Sequence, residues 1–273
     1  MHIDSYFSLS NSSIEEADYV VFGIPYDSTQ TFRSGSRFAP NAIREASWNL
    51  ESYSAYFLID LESVRICDAG NVNCDGSFDD IVIRTQKLIN SFEAFPIAIG
   101  GEHTISYAVF KNFKDSCYVV FDAHLDLRDE FDGNRFSHAC VSRRVYELGS
   151  NLIVIGVRSF SREELDFAEE NCIEFYYSWD LIERGVNPVI EKVSEYENVY
   201  ISLDMDVFDP AYAPGVSTPE PLGIHPLHFL KIISAISKRI VGFDVVEVIP
   251  DQNKITQTLA AKLIFELIAA KQI

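Results

Sequence analysis

Apolar residues along this chain come in short runs bounded by turn residues, with longer, differently patterned segments between them. Eight runs stand out: DYVVFGI at 18–24, VRICDAG at 64–70, FPIAIGG at 95–101, CYVVFDA at 117–123, NLIVIGV at 151–157, CIEFYY at 172–177, NVYISLDMD at 198–206 and IVGFDVVEV at 240–248. Several are apolar nearly throughout rather than at alternate positions. That is the pattern of strands buried on both faces of a parallel sheet.

Helical signals fall between the runs. Ser77 or Asp79 is placed to cap a helix through IVIRTQKLINSF, and Ser161 opens SREELDFAEE with an S-x-x-E capping box. Pro188 can start PVIEKVSEY, while HPLHFLKIISAISK and NKITQTLAAKLIFELIAAK carry a 3.6-residue apolar repeat. The alternation predicts an α/β fold: three layers, α/β/α, around a central, mostly parallel sheet of about eight strands. No Pro- or Ser-rich linker, low-complexity tract or solenoid repeat interrupts the pattern, so residues 1–273 read as a single domain.

In such folds ligands bind beyond the carboxyl ends of the strands, and the ionisable residues gather there. Glu102 and His103 follow FPIAIGG; Asp122, His124 and Asp126 follow CYVVF; Asp204 and Asp206 follow VYISL; Glu247 follows FDVV. Extended backbone would put Asp122, His124 and Asp126 on one face. Converging carboxylates repel and lose hydration, and a cation relieves both costs. A solvated acidic loop would also read DAHLD; delivery of such groups by four separate strands favours a site. The set His103, Asp122, His124, Asp126, Asp204 and Asp206 exceeds the needs of one tetrahedral ion and suits two divalent ions with shared carboxylates. Oxygen-rich ligands with some imidazole and no thiolate favour Mn²⁺, with Zn²⁺, Fe²⁺ or Co²⁺ as alternatives.

Charge narrows the partners. The formal net charge of -19 opposes nucleic acid and anionic membrane surfaces, and favours encounter with a small cation. The segment MHIDSYFSLSNSSIEEADY lacks the basic and apolar regions of a signal peptide, and no apolar run reaches transmembrane length. The five cysteines are scattered singly, which fits free thiols in a reducing, cytoplasmic setting.

Three segments together carry a resemblance. GGEH at 100–103, DAHLD at 122–126 and SLDMDVFDPAYAPGVSTPEP at 202–221 resemble the metal motifs of the ureohydrolase family, the arginases and agmatinases. YDSTQTFRSGSRFAPNAIREAS at 26–47 resembles the family's N-terminal loop and helix start. DEFDGNRFSHACVSRRVYELG at 129–149 resembles the segment after the second motif in agmatinases, and DVVEV at 244–248 the late strand that supplies a glutamate. The resemblance implies an arginase-like fold and two Mn²⁺ per subunit. One would be held by His103, Asp122, Asp126 and Asp204, the other by His124, Asp122, Asp204 and Asp206, with Asp122 and Asp204 bridging. It implies hydrolysis of a guanidino compound to urea and an amine by a hydroxide bridging the two ions. Asp126 would pass a proton to the leaving nitrogen, His138 would shuttle protons or position substrate, and Glu247 would grip the guanidinium. Trimers or hexamers are the assemblies it implies.

The loop LRDEFDGNRFSHAC resembles agmatinases more than arginases. Acidic Asp129 and Glu130 would suit a cationic tail and repel a substrate carboxylate. Agmatine, hydrolysed to putrescine and urea on a route to polyamines, is therefore the expected substrate. Departures from the family pattern at Glu102, Ala139, Cys140, Val216, Ser217 and Ile249 leave aminopropylagmatine, guanidinobutyrate or arginine open. A catalytically retired family member, which would have lost a metal ligand, is the non-enzymatic alternative. Asp209, Gly100, Gly101, Gly35 and Arg37 read as supporting residues.

Overall fold

The computed structural model describes residues 6–273, so the N-terminal segment read above begins outside the described residues. Among the described residues ten strands are formed: β1 Tyr19–Ile24, β2 Tyr53–Ser54, β3 Ile59–Asp60, β4 Ile66–Asn71, β5 Phe95–Gly100, β6 Cys117–Phe121, β7 Leu152–Val157, β8 Glu174–Tyr177, β9 Val199–Asp204 and β10 Ile240–Val246. β2 and β3 make a small antiparallel pair. The other eight, each lying within one of the eight apolar runs or ending one residue past it, form one sheet in the order β4-β1-β5-β10-β9-β6-β7-β8. Every pairing in it is parallel, a stricter outcome than the expected mostly parallel sheet.

The continuous apolar runs are explained by cover on both faces. Along the strands, successive residues enter opposite layers. Ile97, Val119, Phe121, Ile201, Leu203 and Phe243 join one core. Ala98, Tyr118, Val120, Tyr200 and Val246 join the other. All of these are at or near zero exposure.

The helix signals hold locally. Ser77, rather than Asp79, caps the helix Phe78–Ile89, in a capping box with Asp80. Ser161 caps Arg162–Glu170 in a box with Glu164. Pro188 lies in the first turn of Asn187–Val193. The last helix, Ile255–Ala270, forms where the apolar repeat placed it. It is buried around most of its circumference, Gln257 and Glu266 included, because it packs against both Ala39–Ser47 and Pro226–Ile236. Among the described residues no helix is long and apolar enough to cross a membrane. All five cysteines are unpaired, and Cys172 alone is exposed.

Strand order is what makes the site. β5 and β6 are consecutive in this sheet's chain order, yet β10 and β9 lie between them. The four neighbours β5, β10, β9 and β6 are the strands that end in the ionisable residues. Their carboxyl ends form the crevice at which open α/β sheets bind ligands.

Candidate metal centre

The crevice is held by a close backbone junction. Gly101 N–H donates to the Ile24 carbonyl at 3.0 Å, Glu102 N–H to Tyr26 at 2.7 Å, and Glu247 N–H to Gly101 at 2.9 Å. A Cβ on Gly101 would fall 1.9 Å from the Tyr26 oxygen, so only glycine lets these segments close. The junction ties the ends of β1, β5 and β10 and aims His103, 1% exposed, at its neighbours.

His103 Nδ1 lies 3.0 Å from Asp122 Oδ2, 3.2 Å from Asp126 Oδ2 and 3.3 Å from Asp204 Oδ2. His124 Nδ1 lies 3.3 Å from Asp122 Oδ1 and 3.1 Å from Asp206 Oδ2. Two groups therefore have geometry for an ion, His103–Asp122–Asp204 and Asp122–His124–Asp206, each with its ligand atoms within 4.8 Å. Asp122 belongs to both. Asp204 enters only the first group; its Oδ1 accepts the Asp206 N–H at 2.9 Å. All six residues singled out in the sequence converge here.

Asp126 arrives by a different route from the one that strand alternation implied. β6 ends at Phe121, and Asp126 has φ 52°, so the extended face does not continue to it. A left-handed turn swings it back onto His103. Glu247, just past β10, has φ 65°. Left-handed backbone costs a non-glycine residue about 1–3 kcal/mol where the surroundings enforce it, and such residues concentrate at functional sites.

Electrostatics support cation binding. Among the described residues, the ionic partners of Asp122, Asp126, Asp204 and Asp206 are the two histidines alone. Burial, with repulsion from Asp122, pushes the Asp126 carboxyl up to about 7. Burial and then Asp206 and Asp122 push Asp204 well above the usual carboxylate range. Burial disfavours charge on both imidazoles, yet the facing carboxylates draw His103 and His124 well above the usual histidine value. His103 Nδ1 and Asp122 Oδ2, though 3.0 Å apart, are buried with no hydrogen-bond partner. Four carboxylates, two imidazoles and orphaned inward-facing lone pairs fit divalent cations.

The wall of the site is a cavity of about 300 Å³ that includes His138, Glu247, Arg128, Phe131, Phe160 and Glu220. Glu247 accepts the His103 N–H at 2.6 Å, the Gln30 side-chain amide at 2.7 Å and the Ser217 hydroxyl; burial raises its pKa. Burial lowers that of His138. Glu220 Oε1 stands 3.7 Å from His124 Nε2.

The pocket acids are not the pair expected. Asp129 is turned outward and held by Arg144 at 2.8 Å and Arg135 at 3.1 Å, and neither it nor Glu130 lines the cavity. Glu164 and Glu220 do. Glu164 is occupied by Ser161, the Leu127 N–H and Arg128, which leaves Glu220 the freer. Thr29, Gln30 and Glu220 are contributors that residue-level reading did not single out, while Ser217, read as a departure from the family pattern, donates to Glu247. They lay inside the quoted segments YDSTQTF and STPEP, but no periodicity marked which of those side chains face inward. Of the supporting residues, Asp209 is a turn former, accepting the Ala211 and Gly223 N–H groups at 3.0 and 3.1 Å. Arg37 pairs with the buried Asp27 beside Gly35, φ 126°, and shapes the 27–37 loop.

The fold and the site define a class, an α/β protein with a candidate two-ion centre at its sheet edge. The Arginase family model matches residues 17–270, and the chain belongs to the arginase family. It is 41% identical over 272 residues to an agmatinase of Pyrococcus horikoshii, covering 95% of this chain and 94% of that protein. It is 37% identical to an N(1)-aminopropylagmatine ureohydrolase of Thermococcus kodakarensis, covering 94% of this chain and 91% of that one. A solved agmatine ureohydrolase of Thermoplasma volcanium superimposes with a TM-score of 0.93 at 39% identity, covering 98% of this chain and 94% of that chain.

Proposed function

We propose that the chain hydrolyses agmatine to putrescine and urea, as a single ureohydrolase domain over residues 1–273. The observation that carries this reading is the pair of candidate ligand groups sharing the buried Asp122, with His103, His124, Asp204, Asp206 and Glu247 lining one cavity. One ion would sit with His103, Asp122, Asp126 and Asp204, the other with His124, Asp122, Asp204 and Asp206. The donor set suits Mn²⁺. Bound there, divalent cations supply Lewis acidity that brings the pKa of a water from about 15.7 towards neutrality.

The chain's own residues do the rest. Glu247, already accepting three hydrogen bonds, turns its carboxylate to the guanidinium and fixes the reacting carbon by a charge-assisted pair. Asp126, 6% exposed, takes a proton from the attacking water and delivers it to the leaving nitrogen. The water oxygen bonds the guanidinium carbon, and the C–N bond to the alkyl amine then breaks with its electron pair on that nitrogen, giving urea and putrescine. His138, in the cavity wall, passes the second water proton, released as the urea carbonyl forms, to the freed amine. Glu220 meets the distal ammonium of the substrate.

The setting that goes with this chemistry is polyamine biosynthesis in the cytoplasm, by a homo-oligomer of three or six chains. Urea release by Mn²⁺-loaded protein, with agmatine, aminopropylagmatine, guanidinobutyrate and arginine compared, tests the substrate; metal analysis tests the ion count. Turnover of agmatine with two ions per chain is expected. Urea from arginine alone would overturn the substrate, and a single tightly bound ion would overturn the centre. The resemblance to an aminopropylagmatine enzyme favours the extended amine as the second reading.

A further inference from the structure

We infer that Glu102 and Thr29 form a relay that fixes the ring of His138 in one tautomer and orientation, making both of them positioning residues. The inference rests on the proposed role of His138.

Glu102 is fully buried, one residue before the candidate ligand His103, and does not line the cavity. Its carboxylate collects donors and, among the described residues, pairs with none of the candidate ligands. Thr29 N–H donates to Oε2 at 2.7 Å, and the hydroxyls of Thr29 and Thr104 donate to Oε1 at 2.7 and 2.8 Å. Thr29 Oγ1 in turn accepts the His138 backbone N–H at 3.0 Å and lies 3.3 Å from His138 Nδ1.

Proton counting gives the direction. A threonine hydroxyl has one proton and two lone pairs. Its proton is committed to Glu102, and its lone pairs face His138. The ring nitrogen nearest it must then donate, which sets the Nδ1–H tautomer and leaves the Nε2 lone pair free. No protein hydrogen bond reaches Nε2 among the described residues, and the ring forms part of the cavity wall. Ser137 Oγ, also 3.3 Å from Nδ1, can share that proton but has no buried acid behind it. The Phe131 ring meets the imidazole edge-on at 5.9 Å and limits its tilt. A histidine held by a second group in the correct tautomer is the arrangement that proton transfer requires. The 73 and 109 residues separating these partners place the relay beyond local sequence.

Thr29→Val keeps the shape and removes the hydroxyl; Thr29→Ser keeps the hydroxyl. With Mn²⁺ and agmatine, Thr29→Val is expected to lower kcat by about 10- to 100-fold with KM within about threefold, while Thr29→Ser stays within about threefold in both. Metal content is expected to match wild type in each. In ¹⁵N-histidine-labelled full chain carrying diamagnetic Zn²⁺, the His138 signals, assigned with His138→Asn, should report the Nδ1–H form. Thr29→Val should shift them towards a tautomer mixture and Thr29→Ser should restore them. Equal kcat in the Val and Ser variants, an unchanged tautomer in Thr29→Val, or loss of metal from it would overturn the relay. Near wild-type kcat in His138→Asn would instead overturn the reading of His138.

Discussion

Asp244 and Asp122 are both fully buried carboxylates at the same end of the same sheet, yet their surroundings differ in kind. Asp244 accepts the Ser106 and Ser202 hydroxyls on Oδ1, at 2.9 and 2.7 Å, and the Tyr200 hydroxyl on Oδ2 at 2.6 Å. Each of its oxygens is answered. Asp122 faces two imidazoles amid three further carboxylates, and its Oδ2 has no hydrogen-bond partner. The two clusters meet at Ser202, whose Oγ is 3.2 Å from His103 Nε2. A buried polar cluster that serves the fold is satisfied by the protein itself; one that serves binding keeps lone pairs free for its ligand. Through Ser202 the closed cluster holds the ring of the candidate ligand His103, the service that groups behind a metal site perform.

The comparison breaks most visibly if the open cluster loses Asp122, the residue common to its two candidate ligand groups. Asp122→Asn is expected to cut kcat/KM by about 1,000-fold or more and to leave fewer than two ions in metal analysis. Two ions and full activity in Asp122→Asn would remove Asp122 from its proposed bridging place. Next in size is the effect of the cation on stability. Mn²⁺ at about 100 times its Kd should stabilise the wild-type chain by about 2.7 kcal/mol, read as a rise in Tm reversed by EDTA. A Tm indifferent to Mn²⁺ would mean the open cluster is not a binding site.

Opposite signs are expected when a carboxylate is removed from each cluster in metal-free buffer. Asp244→Ala leaves three buried hydroxyls without an acceptor and should lower stability by about 1–3 kcal/mol. Asp204→Asn removes a crowded charge and should raise it by about 1 kcal/mol or more, seen as a shift in the urea midpoint. Destabilisation of similar size in both would show that the two clusters are held alike. The smallest effect belongs to the site's outer support. Ser161→Ala removes the cap of the helix that carries Glu164 and should cost about 1 kcal/mol with metal content unchanged.

The Glu102–Thr29–His138 relay and the Glu220 wall were the least legible parts of the sequence. The strands were legible because burial on both faces leaves an unbroken apolar run, as in CYVVF and LIVIGV. The caps were legible because Ser161 and Glu164 act within one turn. The candidate ligands were legible as residue types at strand ends, and the family resemblance proposed their grouping. Asp129 shows the limit. It stands in an acidic loop next to the site motif, but Arg144 draws it outward. Nothing in DEFDGN distinguishes a pocket acid from a surface ion pair.

By itself the sequence determined the eight sheet strands, their capped helices, and the six histidines and aspartates at strand ends, because periodicity, capping and residue type act over a few positions. The tertiary structure decided that β5, β10, β9 and β6 are neighbours, although β10 follows β5 by well over a hundred residues. It decided that Asp126 reaches His103 through a left-handed turn, that Glu220 rather than Asp129 faces the cavity, and that Gln30 meets Glu247 across 217 residues of chain. Those outcomes depend on strand order and loop docking, which are set by how whole layers pack and leave no periodic mark on the residues they bring together.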